Sequence, residues 1–252
     1  VVTGRTVREG DAATRPEAEA LPELKFVSGS LESTAAAIEA AGGTATPLVL
    51  DLLDRDRLAV VAADALAALG HVDLLLNNAI YVGPAGEKRF LDTPADELEK
   101  RLFGNITAQL LFMQPVLAHM VQRHTGTIAN VTSAAGFARP YAAAGEGGWA
   151  LSYGVSKAGL HRIAQQLVVE HASDGLLFLN LEPGAVATER VLAAGAKLEF
   201  VARRAAPVDV VGETIARILD GAPAPDSGEP FASGTSISVQ DIARAWGLLP
   251  AK

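Results

Sequence analysis

Three apolar runs, each closing on polar residues and separated by helical stretches, constrain this chain more than any other feature. Val72-Asp-Leu-Leu-Leu-Asn77-Asn78-Ala79 closes on paired amides. Thr127-Ile-Ala-Asn-Val-Thr-Ser133-Ala-Ala-Gly136 closes on hydroxyls. Leu177-Phe-Leu-Asn-Leu-Glu-Pro183-Gly184-Ala-Val186-Ala-Thr188 closes on a Pro-Gly turn. Near-continuous apolar strands alternating with helices belong to parallel sheets covered on both faces. In such sheets ligands bind beyond the carboxyl ends of the strands. The expected fold class is therefore α/β, a doubly wound parallel sheet with helices on both faces and its site at the carboxyl edge.

Breakers and caps place the remaining elements. Residues 1–5 read as a short strand ending at Gly4-Arg5, and residues 6–29 as a polar loop or insertion. Ser30 is placed to cap a helix over Leu31–Ala41, which Gly42-Gly43 ends. Pro47–Asp51 reads as a strand and Asp56–Leu69 as a helix closed by Gly70. Thr93 caps and Pro94 opens another helix. Its stripe of Leu98, Leu102, Ile106, Leu110, Met113, Leu117 and Met120 marks core or subunit contact. A helix carrying Tyr153 and Lys157 runs to about Ala172, Val208–Asp220 is a helix, and Thr235–Val239 is a last strand. Nothing repeats, so residues 1–252 read as a single domain.

Tyr153-Gly-Val-Ser-Lys157 carries the chemistry. On a helix, a phenol and an ammonium four residues apart project from one face, one turn apart. A phenol ordinarily keeps its proton to about pH 10. A fixed cation beside it favours the phenolate. The pair is then a proton donor and acceptor near neutral pH, as carbonyl/alcohol interconversion requires. Alone, such a pair is equally an ordinary surface helix pair; the strand ends around it give it meaning.

These motifs, in this order, resemble the short-chain dehydrogenase/reductase family. The resemblance implies a Rossmann-like sheet and an oxidoreductase moving a hydride between NADP(H) or NAD(H) and a ketone or secondary alcohol. It implies that Ser133, three residues before Gly136, holds the substrate oxygen against Tyr153, the general acid/base. Thr132 points to the other face of its strand. Lys157 is implied to lower the tyrosine pKa and bind the nicotinamide ribose. Asn105, beside Gly104, is implied to kink its helix and carry a water linked to the lysine. Asn77 stands at the family's Asn-Asn-Ala-Gly turn, here with Ile80 in place of the glycine. Asp51 and Leu52 match the adenine-contacting pair, with a strand-terminal acid capping the next helix as the plain reading of Asp51. Arg5 matches an arginine facing the adenosine ribose and favours NADP over NAD. Pro183, Gly184, Val186 and Thr188 match the turn at the nicotinamide carboxamide. Tyr153 and Lys157 thus serve both catalysis and cofactor binding.

Two departures stand out. The family opens with a strand and a glycine-rich turn that seats the pyrophosphate on a helix N-terminus. Thr3-Gly4-Arg-Thr-Val-Arg8-Glu-Gly10 is either a degraded copy of that turn, or Val1-Val2 belongs to the second strand and Arg5 ends it. The second reading is preferred, because an apolar helix stripe does not follow. It places the first strand, turn and helix of the pattern outside these residues. Ser133 and Tyr153 are also twenty residues apart, wider than the family spacing. The excess falls in a loop carrying Tyr141 and Trp149, where insertions are tolerated. Tyr81, Phe137, Tyr141 and Trp149 are expected to wall the pocket, and Val191–Arg204 to close over it.

Composition sets the limits. A formal charge of −8 argues against a nucleic-acid groove. The five histidines form no ligand cluster, so no catalytic metal is expected. No run is long enough to span a membrane. Zero cysteines and a start without a secretory pattern fit a cytoplasmic protein. A small-molecule carbonyl or alcohol is the expected partner. A homodimer or homotetramer is expected through the helices at about 94–123 and 154–172. A non-catalytic binding or regulatory protein of the same fold is the main alternative. An epimerase or dehydratase is a further one, which usually carries a longer substrate domain.

Overall fold

The apolar runs become strands, and each described strand pairing is parallel. The computed structural model describes residues 1–11, 29–83, 86, 88–193 and 199–251. Strand β1 (Val2–Gly4) pairs with β2 (Pro47–Val49) in a two-stranded sheet. Strands β3 (Leu74–Asn77), β4 (Gly126–Val131), β5 (Leu176–Glu182) and β6 (Ser236–Ser238) form a four-stranded sheet in that order. Most of the polar stretch at 6–29 lies outside the described residues. So does the middle of the segment expected to close over the site.

Helices alternate with the strands: α1 (Leu31–Ala40), α2 (Arg55–Leu69), α3 (Ala95–Leu102), α4 (Ala108–Arg123) and α5 (Leu151–Glu170). Beyond β5 come α6 (Glu189–Ala193), α7 (Glu199–Ala202), α8 (Val208–Leu219) and α9 (Val239–Ala245). Strand alternation sorts the core into two layers. Ile128 and Phe178 pack with Met113, Val116 and Met120 of α4 and with Leu160 and Ile163 of α5. Their neighbours Ala129, Leu179 and Leu181 face the other way, against Val211 and Ile218 of α8 and Val239 of α9. Burying each of the larger side chains is worth roughly 1.5–3 kcal/mol. Both faces of the four-stranded sheet are thus covered, and its carboxyl edge stays open for chemistry.

Several local expectations change. Ser30 caps α1 in a reciprocal box with Ser33. The helix after residue 93 starts later, with Pro94 as the capping position, and Thr93 turns its hydroxyl back to the Arg89 carbonyl, 2.9 Å away. That helix is not continuous either. Residues Phe103–Thr107 form a π-helical turn between α3 and α4. The strand at Pro47 stops at Val49, which leaves Leu50–Leu52 as the exit toward α2. The last strand hands over directly to α9, whose short amphipathic pattern the sequence reading did not separate from the strand.

Candidate active site

The carboxyl end of β4 delivers Thr132 and Ser133. Thr132 is buried and donates to the Leu181 carbonyl at 3.3 Å, so its hydroxyl is used inside the sheet. Ser133 stands on the other side, at the mouth of a 3-10 turn over Ala134–Gly136, where its Oγ accepts from the Ala135 amide at 3.2 Å. This turn lies directly on α5. A Cβ at Gly136 would fall 2.7 Å from the Lys157 carbonyl carbon and 2.8 Å from the Ala158 amide nitrogen. Gly136 is therefore needed for close approach, and that approach sets Ser133 beside the helix carrying Tyr153 and Lys157.

Lys157 is 3% exposed, and its Nζ donates to the Val131 carbonyl at 2.7 Å. Burial drops its pKa from 10.5 to about 8. An ammonium has three N–H donors. Among the described residues only the Val131 carbonyl accepts from it. Two donors remain for a ligand.

Asn105 sits in the π-helical turn and is 1% exposed. Its Oδ1 accepts from the Tyr81 amide at 2.6 Å, and its Nδ2 donates to Ser156 Oγ at 3.3 Å. Ser156 in turn donates to the Tyr153 carbonyl at 2.9 Å. The turn thus holds the first coil of α5 from behind. Gly104 makes room there, since a Cβ would stand 2.8 Å from Tyr81 Cβ.

The remaining predicted residues occupy two places. Pro183–Thr188 leave β5 through Gly184, at φ +69. Gln240 of α9 clamps that turn by donating to the Pro183 and Ala185 carbonyls at 3.0 and 2.7 Å. Val186 bridges to Ala206, and Thr188 Oγ1 accepts from the Val191 amide at the start of α6. Arg5 and Asp51 lie at the ends of β1 and β2 and face each other, 3.4 Å apart. Asp51 also accepts from the Leu53 amide at 2.9 Å, a turn ahead of α2; the capping position of that helix is Asp54, so Asp51 does not cap it. Leu52 and Asn77 line a cavity between the two sheets.

A dinucleotide fits one end of this arrangement better than the other. The two remaining Lys157 donors and the Gly184 turn suit a nicotinamide ribose. The diphosphate has no cradle among the described residues. At the N-terminus of α1, the helix that follows β1, the Leu31 and Glu32 amides donate to the Thr6 and Val7 carbonyls. The Ser33 amide is taken by Ser30 Oγ. This argues against Thr3–Gly10 acting as a degraded phosphate turn.

Sequence reasoning missed three features. Asn77, Asn130 and Asn180 stand in register on β3, β4 and β5. Asn77 Nδ2 donates to Asn130 Oδ1 at 2.9 Å, and Asn130 Nδ2 to Asn180 Oδ1 at 3.5 Å. An asparagine in each apolar run was the available signal. Arg101, 2% exposed, donates to the Val82 and Gly86 carbonyls and to Ser152 Oγ, tying the loop after β3 to α5. Tyr81 is not an open pocket wall: it is 7% exposed and its hydroxyl donates to Glu97 at 3.0 Å. Phe137 and Tyr141 are exposed, and Tyr141 packs edge-on to Trp149.

The family described as short chain dehydrogenase matches residues 23–199. The chain is 32% identical over 167 residues to the protein named probable oxidoreductase EphD of Mycobacterium tuberculosis, across 66% of this chain and 26% of that protein. It thus spans about a quarter of that relative's length. It is 29% identical over 230 residues to cis-4-hydroxycyclohexanecarboxylate dehydrogenase of Sinomonas cyclohexanicum, across 88% of this chain and 89% of the relative. A solved short-chain dehydrogenase from Streptomyces avermitilis superposes with a TM-score of 0.64 at 22% identity, over 97% of this chain and 90% of that one. That last likeness is one of fold.

Proposed function

We propose a function that starts from kinship: the chain belongs to the short-chain dehydrogenase/reductase family. On our reading it is an oxidoreductase that interconverts a small ketone and the corresponding secondary alcohol. The observation that carries this is the buried Lys157 ammonium at the end of β4, one helical turn from Tyr153 and across the Gly136 contact from Ser133. NADP(H) or NAD(H), when bound, supplies or accepts the hydride at the carbon centre. Arg5 speaks for NADP(H), although Asp51 draws on the same guanidinium.

The protein's own work is on the oxygen. In reduction the Tyr153 phenol gives its proton to the carbonyl oxygen as charge develops there. In oxidation the phenolate takes the alcohol proton. Ser133 donates a hydrogen bond to the same oxygen, which is worth most when the oxygen is charged. Lys157 holds positive charge beside the phenolate, and Asn105 with Ser156 fixes the backbone of Tyr153. Exposed Phe137 and Tyr141 offer apolar surface for a fairly hydrophobic substrate. The exposed Leu110 of α4 and Val155 and Val169 of α5 offer a face for a homo-oligomer. We place the protein in the cytoplasm and treat it as one domain; no helix among the described residues is long and apolar enough to cross a membrane.

A non-catalytic binding role is the second reading. Its basis is that the Leu31, Glu32 and Ser33 amides at the start of α1 are already taken and so closed to a phosphate. Fluorescence titration with NADPH and NADH separates the two, followed by turnover of a ketone panel by the wild type and by Tyr153→Phe. Binding of at least one cofactor is expected, with a turnover loss of about 10²–10⁴-fold in the variant. Binding of neither, or full turnover by Tyr153→Phe, overturns the enzyme reading.

A further inference from the structure

Glu97, Arg101, Asn105 and Gln109 follow one another at a spacing of four, and each is buried. Each bonds to the segment that leaves β3. The Tyr81 hydroxyl donates to Glu97 Oε2 at 3.0 Å, and the Tyr81 amide donates to Asn105 Oδ1 at 2.6 Å. Gln109 Nε2 donates to the Ala79 carbonyl at 2.8 Å. Arg101 Nη2 donates to the Val82 carbonyl and, at 3.1 Å, to the Gly86 carbonyl. A spacing of four runs ahead of a turn of about 3.6 residues, so on an unbroken α-helix this stripe would wind off its face. The wider π turn over Phe103–Thr107 falls within the stripe and turns it back. Of the four, only Asn105 carries a role by resemblance to the family.

Arg101 differs from the other three. It is 2% exposed, and a buried guanidinium is costly unless its donors are well bonded. Its second arm crosses to another element: Nη1 donates to Ser152 Oγ at 3.2 Å. Ser152 is itself buried in the first turn of α5, one residue before Tyr153. The guanidinium is a rigid planar fork, so the groups held on its two arms are fixed relative to each other. A loop that leaves a parallel strand at its carboxyl end borders the ligand crevice. One side chain thus joins a wall of the candidate site to the helical turn that carries its general acid/base.

We propose that Arg101 is a positioning residue: one arm of its guanidinium fixes the loop leaving β3, and the other, through Ser152, fixes the first turn of α5, so that Tyr153 keeps its place against the pocket wall. This rests on the activity proposed above, in which Tyr153 moves the proton. Arg101 acts through the groups it holds and not on the reacting atoms. Its two arms have separable effects. The Ser152 arm acts on the chemical step, and the loop arm on substrate binding.

The test compares the wild type, Ser152→Ala, Arg101→Met and the double variant, with saturating NADPH or NADH and a ketone from the panel that the wild type reduces. Ser152→Ala cuts the α5 arm alone and should lower kcat about threefold to tenfold with KM unchanged. Arg101→Met cuts both arms and should lower kcat about tenfold to a hundredfold and raise KM about threefold or more. In the Arg101→Met background, Ser152→Ala should cost nothing further in kcat, because that arm is already gone. A merely structural arginine would leave kcat and KM of the folded enzyme unchanged well below its melting temperature. Amide hydrogen exchange reads the same arms without turnover. The Gly154 amide, bonded to the Ala150 carbonyl, should exchange about threefold or more faster in Ser152→Ala while the Tyr81 amide does not change, and in Arg101→Met both should quicken. A wild type that binds neither cofactor sinks the proposed activity, and exchange then decides this inference alone. Where Arg101→Met does not fold, Ser152→Ala decides. Additive losses in kcat, unchanged kinetics in Ser152→Ala, or unchanged exchange at Gly154 overturn the proposal.

Discussion

Replacing Lys157 by methionine tests the electrostatics of the site without emptying it. The side chain keeps most of its length and loses its charge. In the folded protein burial holds the lysine pKa at about 8, against 10.5 ordinarily. Below pH 8 both folded and unfolded chains carry the proton, and the fold bears the full desolvation cost. Between pH 8 and 10.5 the unfolded chain binds more protons, so wild-type stability rises with pH. The whole change is worth about 3 kcal/mol, from 1.36 kcal/mol per unit. Methionine removes this cost and leaves the Val131 carbonyl without its donor, a loss of about 1–3 kcal/mol. At pH 7 the variant should be as stable as wild type or up to ~2 kcal/mol more stable. Its advantage should shrink as pH rises. Urea denaturation of both proteins from pH 7 to 9.5 measures the difference, in which every other titrating group cancels. Parallel stability curves would refute the reasoning, because Lys157 would then not be desolvated in the folded state. Turnover should fall in the variant at every pH, so stability and activity separate.

Gly136→Ala should cost about 1–3 kcal/mol and lower turnover, because the new methyl meets the α5 backbone at Lys157 and Ala158. Gly212→Ala in α8 is the control: nothing lies within 4 Å, and a gain of about 0.5–1 kcal/mol is expected in the same thermal melts. Asn105→Ala should cost about 1–3 kcal/mol by leaving the Tyr81 amide unpaired. A neutral result in denaturant titration would show that this amide finds another acceptor.

The legible part of the chain was the four-stranded sheet. Apolar strands with polar ends carry their own boundaries, so β3, β4 and β5 fell where the residues placed them. Ser133, Tyr153 and Lys157 could be proposed from sequence because their spacing on a strand end and a helix is local. Asn105 was found as a residue but not as part of a π-helical turn, whose cause is tertiary: Tyr81 packs against Gly104 and its amide reaches Asn105. Tyr81 was misread as a pocket wall because no local pattern shows that Glu97, sixteen residues on, takes its hydroxyl. The asparagine ladder was invisible for the same reason, since it exists only once three strands share a register.

The residues assigned to the two ends of a dinucleotide stand on two sheets that share the α2–α4 layer. Ser133, Tyr153, Lys157 and the Pro183 turn rise from the four-stranded sheet, which is covered on both faces. Arg5 and Asp51 stand on the two-stranded sheet, where α1 buries only Leu31 and β2 exposes two of its three residues. The four-stranded half should therefore open rarely, and the β1–α1–β2 half more often, as sparse burial favours local unfolding. A ligand that spans both must order the weaker half as it binds. Its measured affinity then reports that ordering as well as its contacts, while the geometry around Lys157 is already set by β4 and α5. Cofactor affinity and catalytic geometry should accordingly respond to different substitutions: changes at Arg5 act on the first, and changes at Gly136 on the second.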